Sequence, residues 1–441
     1  MRRENAMPSG SLHRSPRLSA VLAAMLAIST AQAEVLHLSD DACVDAIPER
    51  SKTGERQAFP IRDLDRERRR FIHEFQRDGV DFDFELYKEC ELPNLLGIPN
   101  FNRLRVPVFR SSGTRGPGIL LVHGNSSSSR SFVFQVFSDL GLTHRIFLLD
   151  LPGYGRAEKV DPSLPLPTDG SGIPVGFPEY QIGLLEALAV VAADPEIAPE
   201  VFVGWSLGGD LLLQAHGVGL LPDAKGFFIF GTAPVGADPP TTEPPFLAPN
   251  VPGRSLGILR SFGFAFQFDP KSPLGFSLNG EFTDPVPPFA SSPISDAPNV
   301  GEAYLRAFFG KVRRLQGIVP RFFLEDGFDR ADARARASLG VVALGLLAPG
   351  PLPLPDELEV LQDLAGDPST RDDDIPIAVA FGAQEAFVNG QYLKDLADAG
   401  AIPTLWRDQI IEVPGAGHAI HFERPTVLDS LIRDFARDLR P

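Results

Sequence analysis

Residues 201–209 read VFVGWSLGG, an apolar β-prone run that meets a serine set among glycines. Residues 207–219 carry helical spacing, so Ser206 is placed on a sharp strand-to-helix turn, where a strained nucleophile needs small neighbours. A serine hydroxyl is a poor nucleophile near neutral pH unless an imidazole takes its proton. The imidazole in turn needs an acid to hold its tautomer and stabilise its charged form. The chain supplies both downstream: Glu385 follows an apolar strand at 375–381, and His418 follows a strand at 409–413 and the turn GAG. His421 and Asp238 are the rivals by residue type. His421 lies on the approach to the last helix, Asp238 shortly after GFFIFG, and Asp372, Asp373 and Asp374 precede their strand rather than follow it. The oxyanion of a tetrahedral intermediate must meet two backbone N–H groups, one from the residue after the nucleophile and one from the loop after an earlier strand. Leu207 and Asn125 occupy those positions. The serines at 126–129 beside Asn125 read either as part of that loop or as a flexible linker.

The elements that would position these groups alternate. Strands are expected at 106–109, 118–123, 145–150, 201–205, 226–231, 375–381 and 409–413, the central ones apolar throughout, as in a sheet covered on both faces. A helix with leucines at helical spacing is expected at 179–193, and an amphipathic one at 426–440. Parallel strands joined by crossover helices make a doubly wound α/β sheet. The alternation stops between 232 and 374, a stretch rich in proline and phenylalanine with helices expected near 300–316, 321–338 and 356–364. A structureless loop of that length is improbable in a compact domain. It reads as a large, mainly helical cap inserted between the core strands at 226–231 and 375–381. Phe308, Phe309, Phe322, Phe323 and the run 341–347 are available to line an apolar acyl or aromatic pocket, or to form the cap's own core.

Ahead of the core, Arg2, Arg3, Arg14 and Arg17 precede an apolar run at 18–28 that ends in AQA, the layout of a secretory signal peptide cleaved after Ala33. The run falls short of the about 20 residues of a permanent span. Periplasmic or secreted localisation is therefore expected, with residues 34–102 as an N-terminal extension that includes an amphipathic helix at 62–70. The net charge of −16 becomes about −19 without the leader. Such a surface repels nucleic acid and anionic membrane. Two cysteines remain, Cys43 and Cys90, an even count in an exported chain: one disulfide is one reading, two buried free thiols the other. No spacing suggests zinc and no glycine-rich loop suggests phosphate binding, so no cofactor is expected.

Taken together and in order, LLVHGNSSSS, LLDLPGYGR, VGWSLGG and VPGAGHAIHFERP resemble the α/β-hydrolase superfamily over about 103–232 and 375–440. Within it, HGNSSS, GWSLGG, FGTAP, the acid loop GAQEAFV and GAGHA are similar to those of the serine-dependent N-acyl-homoserine lactonases. In that group the acid is a glutamate, and the resemblance carries this role to Glu385. It implies an α/β-hydrolase fold with core segments 103–231 and 375–441, cap 232–374, and a small-molecule ester or lactone as substrate. Relatives that hydrolyse epoxides or haloalkanes would carry aspartate at the position of Ser206. The longer cap and the cysteine-bearing extension depart from the lactonase pattern, and so leave open amide or carbon–carbon bond hydrolysis on the same triad, or a catalytically silent binding protein.

Overall fold

A computed structural model describes residues 42–46, 85–94, 104–160, 178–246, 331, 332, 334, 335, 338, 339, 342, 354–366 and 373–439. The leader, the helix expected at 62–70, the helix expected at 300–316, most of the one at 321–338, and Phe308, Phe309, Phe322 and Phe323 lie outside these residues.

Among the described residues nine strands form one sheet: β1 (Cys43–Asp45), β2 (Glu85–Glu91), β3 (Arg105–Arg110), β4 (Arg115–Val122), β5 (His144–Leu149), β6 (Pro199–Trp205), β7 (Gly226–Phe230), β8 (Ile377–Gly382) and β9 (Ile411–Val413). Their order is β1-β2-β3-β5-β4-β6-β7-β8-β9. The run from β5 to β9 is parallel, and β1, β2 and β3 join its edge antiparallel. Every residue of β7 and β8 is buried, because GFFIF and IAVAFG present apolar groups to both faces.

Helices cover the two faces. Those within the described residues are α1 (Val133–Phe137), α2 (Asp139–Thr143), α3 (Pro178–Ala193), α4 (Leu207–Gly217), α5 (Glu357–Asp363), α6 (Gly390–Asp398), α7 (Ile420–Glu423) and α8 (Pro425–Asp438). Alternate residues of the strands feed separate cores. Leu120, Val122, Phe202 and Ile229 pack with α3, α4, α5 and α6. Ile119, Leu121, Val203 and Phe230 pack with α1, α7 and α8. Each such side chain contributes about 1.5 to 3 kcal/mol when fully buried, so the strand ends are held as a rigid edge. No helix among the described residues is long and apolar enough to cross a membrane.

The extension contributes to the sheet itself, as β1 and β2. In β2, ELYKECE, the buried positions are Lys88 and Cys90 and three glutamates lie outside, so the strand carries no apolar signature. Lys88 is buried because Asp194 and Glu196, beyond α3, pair with it at 3.0 and 2.9 Å. Cys43 and Cys90 stand opposite each other in the β1–β2 ladder and form a disulfide.

Between β7 and β8, α5 lies at the place expected for it. The described residues near 334 are tied to the core: Asp332 N–H donates to Gly153 O at 2.7 Å, the Tyr180 hydroxyl donates to Asp332 Oδ2 at 2.8 Å, and Arg334 bridges Asp332 and Val160 O. Val342, from the run at 341–347, is buried.

Replacing both cysteines by serine releases a closed loop of 47 residues. The expected loss is roughly 3 to 4 kcal/mol in a denaturant titration, with β1 detaching and the parallel sheet retained; a loss under about 1 kcal/mol would contradict this.

Candidate active site

The turn that carries Ser206 is built from close backbone approaches. A Cβ on Gly204 would fall 2.5 Å from Gly209 Cα, and one on Gly208 would fall 2.5 Å from His123 O, so α4 can lie against the ends of β4 and β6 only with glycine at both positions. Ser206 itself holds φ 53° and ψ −134°, a strained conformation for a residue with a side chain. Three hydrogen bonds hold it there. Its N–H donates to Phe230 O at 2.9 Å, and its carbonyl accepts from Gly209 N–H at 2.8 Å and from the Thr232 hydroxyl at 2.9 Å. The residue is partly exposed within this buried frame.

Glu385 lies in the turn after β8. Its loop is pinned by Ala383 N–H to Val413 O and Gln384 N–H to Ala416 O, at 3.0 and 2.8 Å. One carboxylate oxygen, Oε1, accepts from Ala386 N–H, from Phe387 N–H and from His418 Nδ1, each at 2.9 Å. Since a carboxylate only accepts, the Nδ1 proton is fixed on the imidazole and Nε2 is left as a base. Both side chains are 3–4% exposed.

His418 is held from behind as well. The Trp205 indole N–H donates to His418 O at 2.9 Å, linking the base to the residue before Ser206, and Gly417 N–H donates to Glu423. Phe387 lies against the imidazole with ring centres 4.7 Å apart. A Cβ on Gly231 would touch the same ring at 3.1 Å, so glycine after β7 makes room for it.

The structure separates the rivals. His421 is packed among Trp205, Phe132 and Phe230, and burial holds its imidazole well below the usual histidine range, assisted by His418. It is a neutral core histidine. Asp238 is exposed beyond the end of β7, and Glu385 is the acid in contact with His418.

Leu207 opens α4, so its N–H has no acceptor within the helix. Asn125 follows Gly124, whose Cβ would meet Ser206 Cβ at 2.7 Å and Oγ at 3.4 Å. Asn125 therefore adjoins the serine from the other side. Its loop is ordered, and not a linker: Asn125 Oδ1 accepts from Ser126 N–H at 2.8 Å and from the Tyr154 hydroxyl at 3.0 Å. His123 Nε2 accepts from Leu151 N–H at 3.1 Å, so its other nitrogen carries the proton and donates to Gly124 O at 2.8 Å. The buried Asp150 carboxylate spans the same two loops, accepting from Ser129 N–H at 2.7 Å and Arg156 N–H at 2.8 Å. Sequence reasoning reads HGN and PGYGR as separate turns. Their one joint signal is that each puts a polar residue, His123 and Asp150, at the end of an apolar strand.

The assembly has the parts for nucleophilic chemistry with an oriented base. The profile of the Alpha/beta hydrolase family matches residues 119–429. Among solved structures, a mutant of the N-acyl homoserine lactonase AidH complexed with N-hexanoyl homoserine lactone is similar, with 23% identity over 76% of this chain and 95% of that one and a TM-score of 0.51. AidH complexed with N-butanoyl homoserine is also similar, at 23% identity, with 76% and 94% of the two chains covered and a TM-score of 0.50. A thermophilic esterase from Thermogutta terrifontis shows 16% identity, with coverage of 78% and 97% and a TM-score of 0.48. No curated protein sequence matches the chain.

An electrophilic fluorophosphonate reports whether this arrangement activates Ser206. Labelling at Ser206 is expected to slow at least about 100-fold in Glu385→Gln, which permits the wrong imidazole tautomer, and to stay within about twofold in Asp238→Asn. Equal rates in the two variants would remove Glu385 from the assembly.

Proposed function

Because the chain belongs to the alpha/beta hydrolase family, we propose that it is a serine hydrolase that cleaves a carboxylic ester or lactone through an acyl-enzyme on Ser206. The observation that carries this reading is the 2.9 Å pair of His418 and Glu385, held at the same sheet edge as the strained serine by the Trp205–His418 hydrogen bond.

In the first half-reaction Ser206 Oγ attacks the carbonyl carbon while His418 Nε2 takes its proton, and Glu385 stabilises the imidazolium. The N–H groups of Leu207 and Asn125 meet the developing oxyanion; loss of one such donor costs about 3 to 4 kcal/mol of transition-state stabilisation. The intermediate collapses as His418 returns the proton to the leaving alcohol. From an ester that alcohol departs, and from a lactone it stays joined to the acyl group. Water, deprotonated by His418, then attacks the acyl-enzyme and releases the acid and Ser206. The likeness in fold to a lactonase puts acyl lactones beside simple esters as substrates to try.

The reading extends to an exported enzyme whose insertion, 232–374, caps the serine and selects an apolar acyl group. Its support is the leader-like composition of residues 1–33 and the Cys43–Cys90 disulfide, a bond that persists in oxidising compartments. The substrate is a small molecule, with no part for nucleic acid or for a membrane span.

The test is a panel of aryl esters and N-acyl lactones of graded chain length. The chain without residues 1–33 is expected to hydrolyse members of it, and Ser206→Ala to lose at least about 1,000-fold in kcat. Full activity in Ser206→Ala, or no hydrolysis of any member by the unaltered chain, would overturn the reading.

A further inference from the structure

Two stems of the insertion, 232–237 after β7 and 354–357 leading into the first turn of α5, meet against α4 at a buried carboxyl group. Glu357 is fully buried. Its backbone N–H donates to Val235 O at 3.2 Å, its Oε2 accepts from Val235 N–H at 2.7 Å, and its Oε1 accepts from Gln214 Nε2 at 3.1 Å. Gln214 lies one helical turn beyond Asp210, and Asp210 lies one turn beyond Ser206. Asp210 is 1% exposed, has an unpartnered Oδ1, and interacts electrostatically with Glu357. The neighbouring groups add acid and no base. Asp356, the cap of α5, accepts from Ala237 N–H at 2.7 Å, and Tyr392 of α6 donates its hydroxyl to Pro234 O at 2.7 Å. Among the described residues no cation pairs with either buried carboxyl.

A carboxyl group enclosed in this way without a counter-ion holds its proton above the ordinary carboxylate range. Burial pushes Glu357 up to about 8, and Asp356 beside it adds to the shift. Burial also holds Asp210 well above the usual carboxylate range, as does Glu357.

We propose that Glu357 is a positioning residue for hydrolysis: as a buried carboxyl group shared by Val235 and Gln214, with Asp210 buried on the same helix, it seats the stems of the insertion on α4, the helix that follows Ser206. The proposal rests on Ser206 as the nucleophile. Loss of the Glu357 proton puts a negative charge beside Asp356 and against the helix whose N-terminus faces the oxyanion, so the stems part from α4 and turnover falls. The folded chain holds this proton where the unfolded chain has lost it. Stability attributable to Glu357 therefore falls as pH rises from its ordinary range to about 8, and levels beyond.

The experiment is the pH dependence of kcat/KM on an aryl ester from pH 6 to 9.5, for the unaltered chain and Glu357→Gln. Reactive Ser206 is counted at each pH with a fluorophosphonate. The unaltered chain is expected to lose at least fivefold between pH 7 and 9.5 with a midpoint near 8, and Glu357→Gln less than twofold. An unchanged alkaline limb in Glu357→Gln overturns the proposal while leaving the nucleophile in place. Failure of Ser206 to label at any pH overturns the nucleophile reading, and the proposal with it. A readout that needs no variant is the infrared stretch of protonated carboxyl groups in the unaltered chain. It is expected to persist at pH 7 and to fade in step with activity above 8, and its absence at pH 7 overturns the proposal.

Discussion

The backbone at Ser206 occupies a conformation that costs of order 1 to 3 kcal/mol for a residue with a side chain, and much of the fold serves to keep it there. Two buried strands fix the approach: β6 delivers the chain, and the Phe230 carbonyl of β7 accepts the Ser206 N–H. Glycines at 124, 204 and 208 let three segments come within contact of one another. The turn leaves Ser206 partly exposed on a hydrogen-bonded support, which is what the proposed nucleophile needs.

The polar groups around the turn form a continuous frame. The Trp205 indole ties the elbow to the loop of His418, the Thr232 hydroxyl ties it to the chain leaving β7, and His123 and Asp150 tie the Asn125 loop to the loop after β5. These hydrogen bonds are buried or partly buried and costly to leave unmade, so each loop at the edge is tied to a neighbour. Glu385 follows the same logic: two backbone N–H groups orient the carboxylate before His418 reaches it.

What could be read from the residues follows from burial on both faces. GILLV, GFFIF and IAVAF lie in the middle of the sheet, and their apolar runs mark strands without ambiguity. The glycine–serine turn was legible because steric crowding dictates its composition, and the order of serine, glutamate and histidine along the chain matched the strand ends that carry them. β2 was not legible, since its buried positions are a lysine satisfied by Asp194 and a cysteine, and those contacts are made across the fold. His418 and His421 have the same side chain three residues apart; one meets a carboxylate and the other a wall of aromatic rings. The Tyr154–Asn125 bond and the Gln214–Glu357 bond were likewise invisible, because each joins segments with no shared pattern in the chain.

Hydrolysis through an acyl-enzyme requires the acyl group to pass through a covalent bond to Ser206. Rapid-quench mass spectrometry during the first turnover of a slowly deacylated aryl ester tests it directly. An acyl mass is expected on the peptide that carries Ser206, formed before the steady state and decaying at the turnover rate. Product formation with no adduct on that peptide would mean that water attacks the substrate directly, and would contradict it.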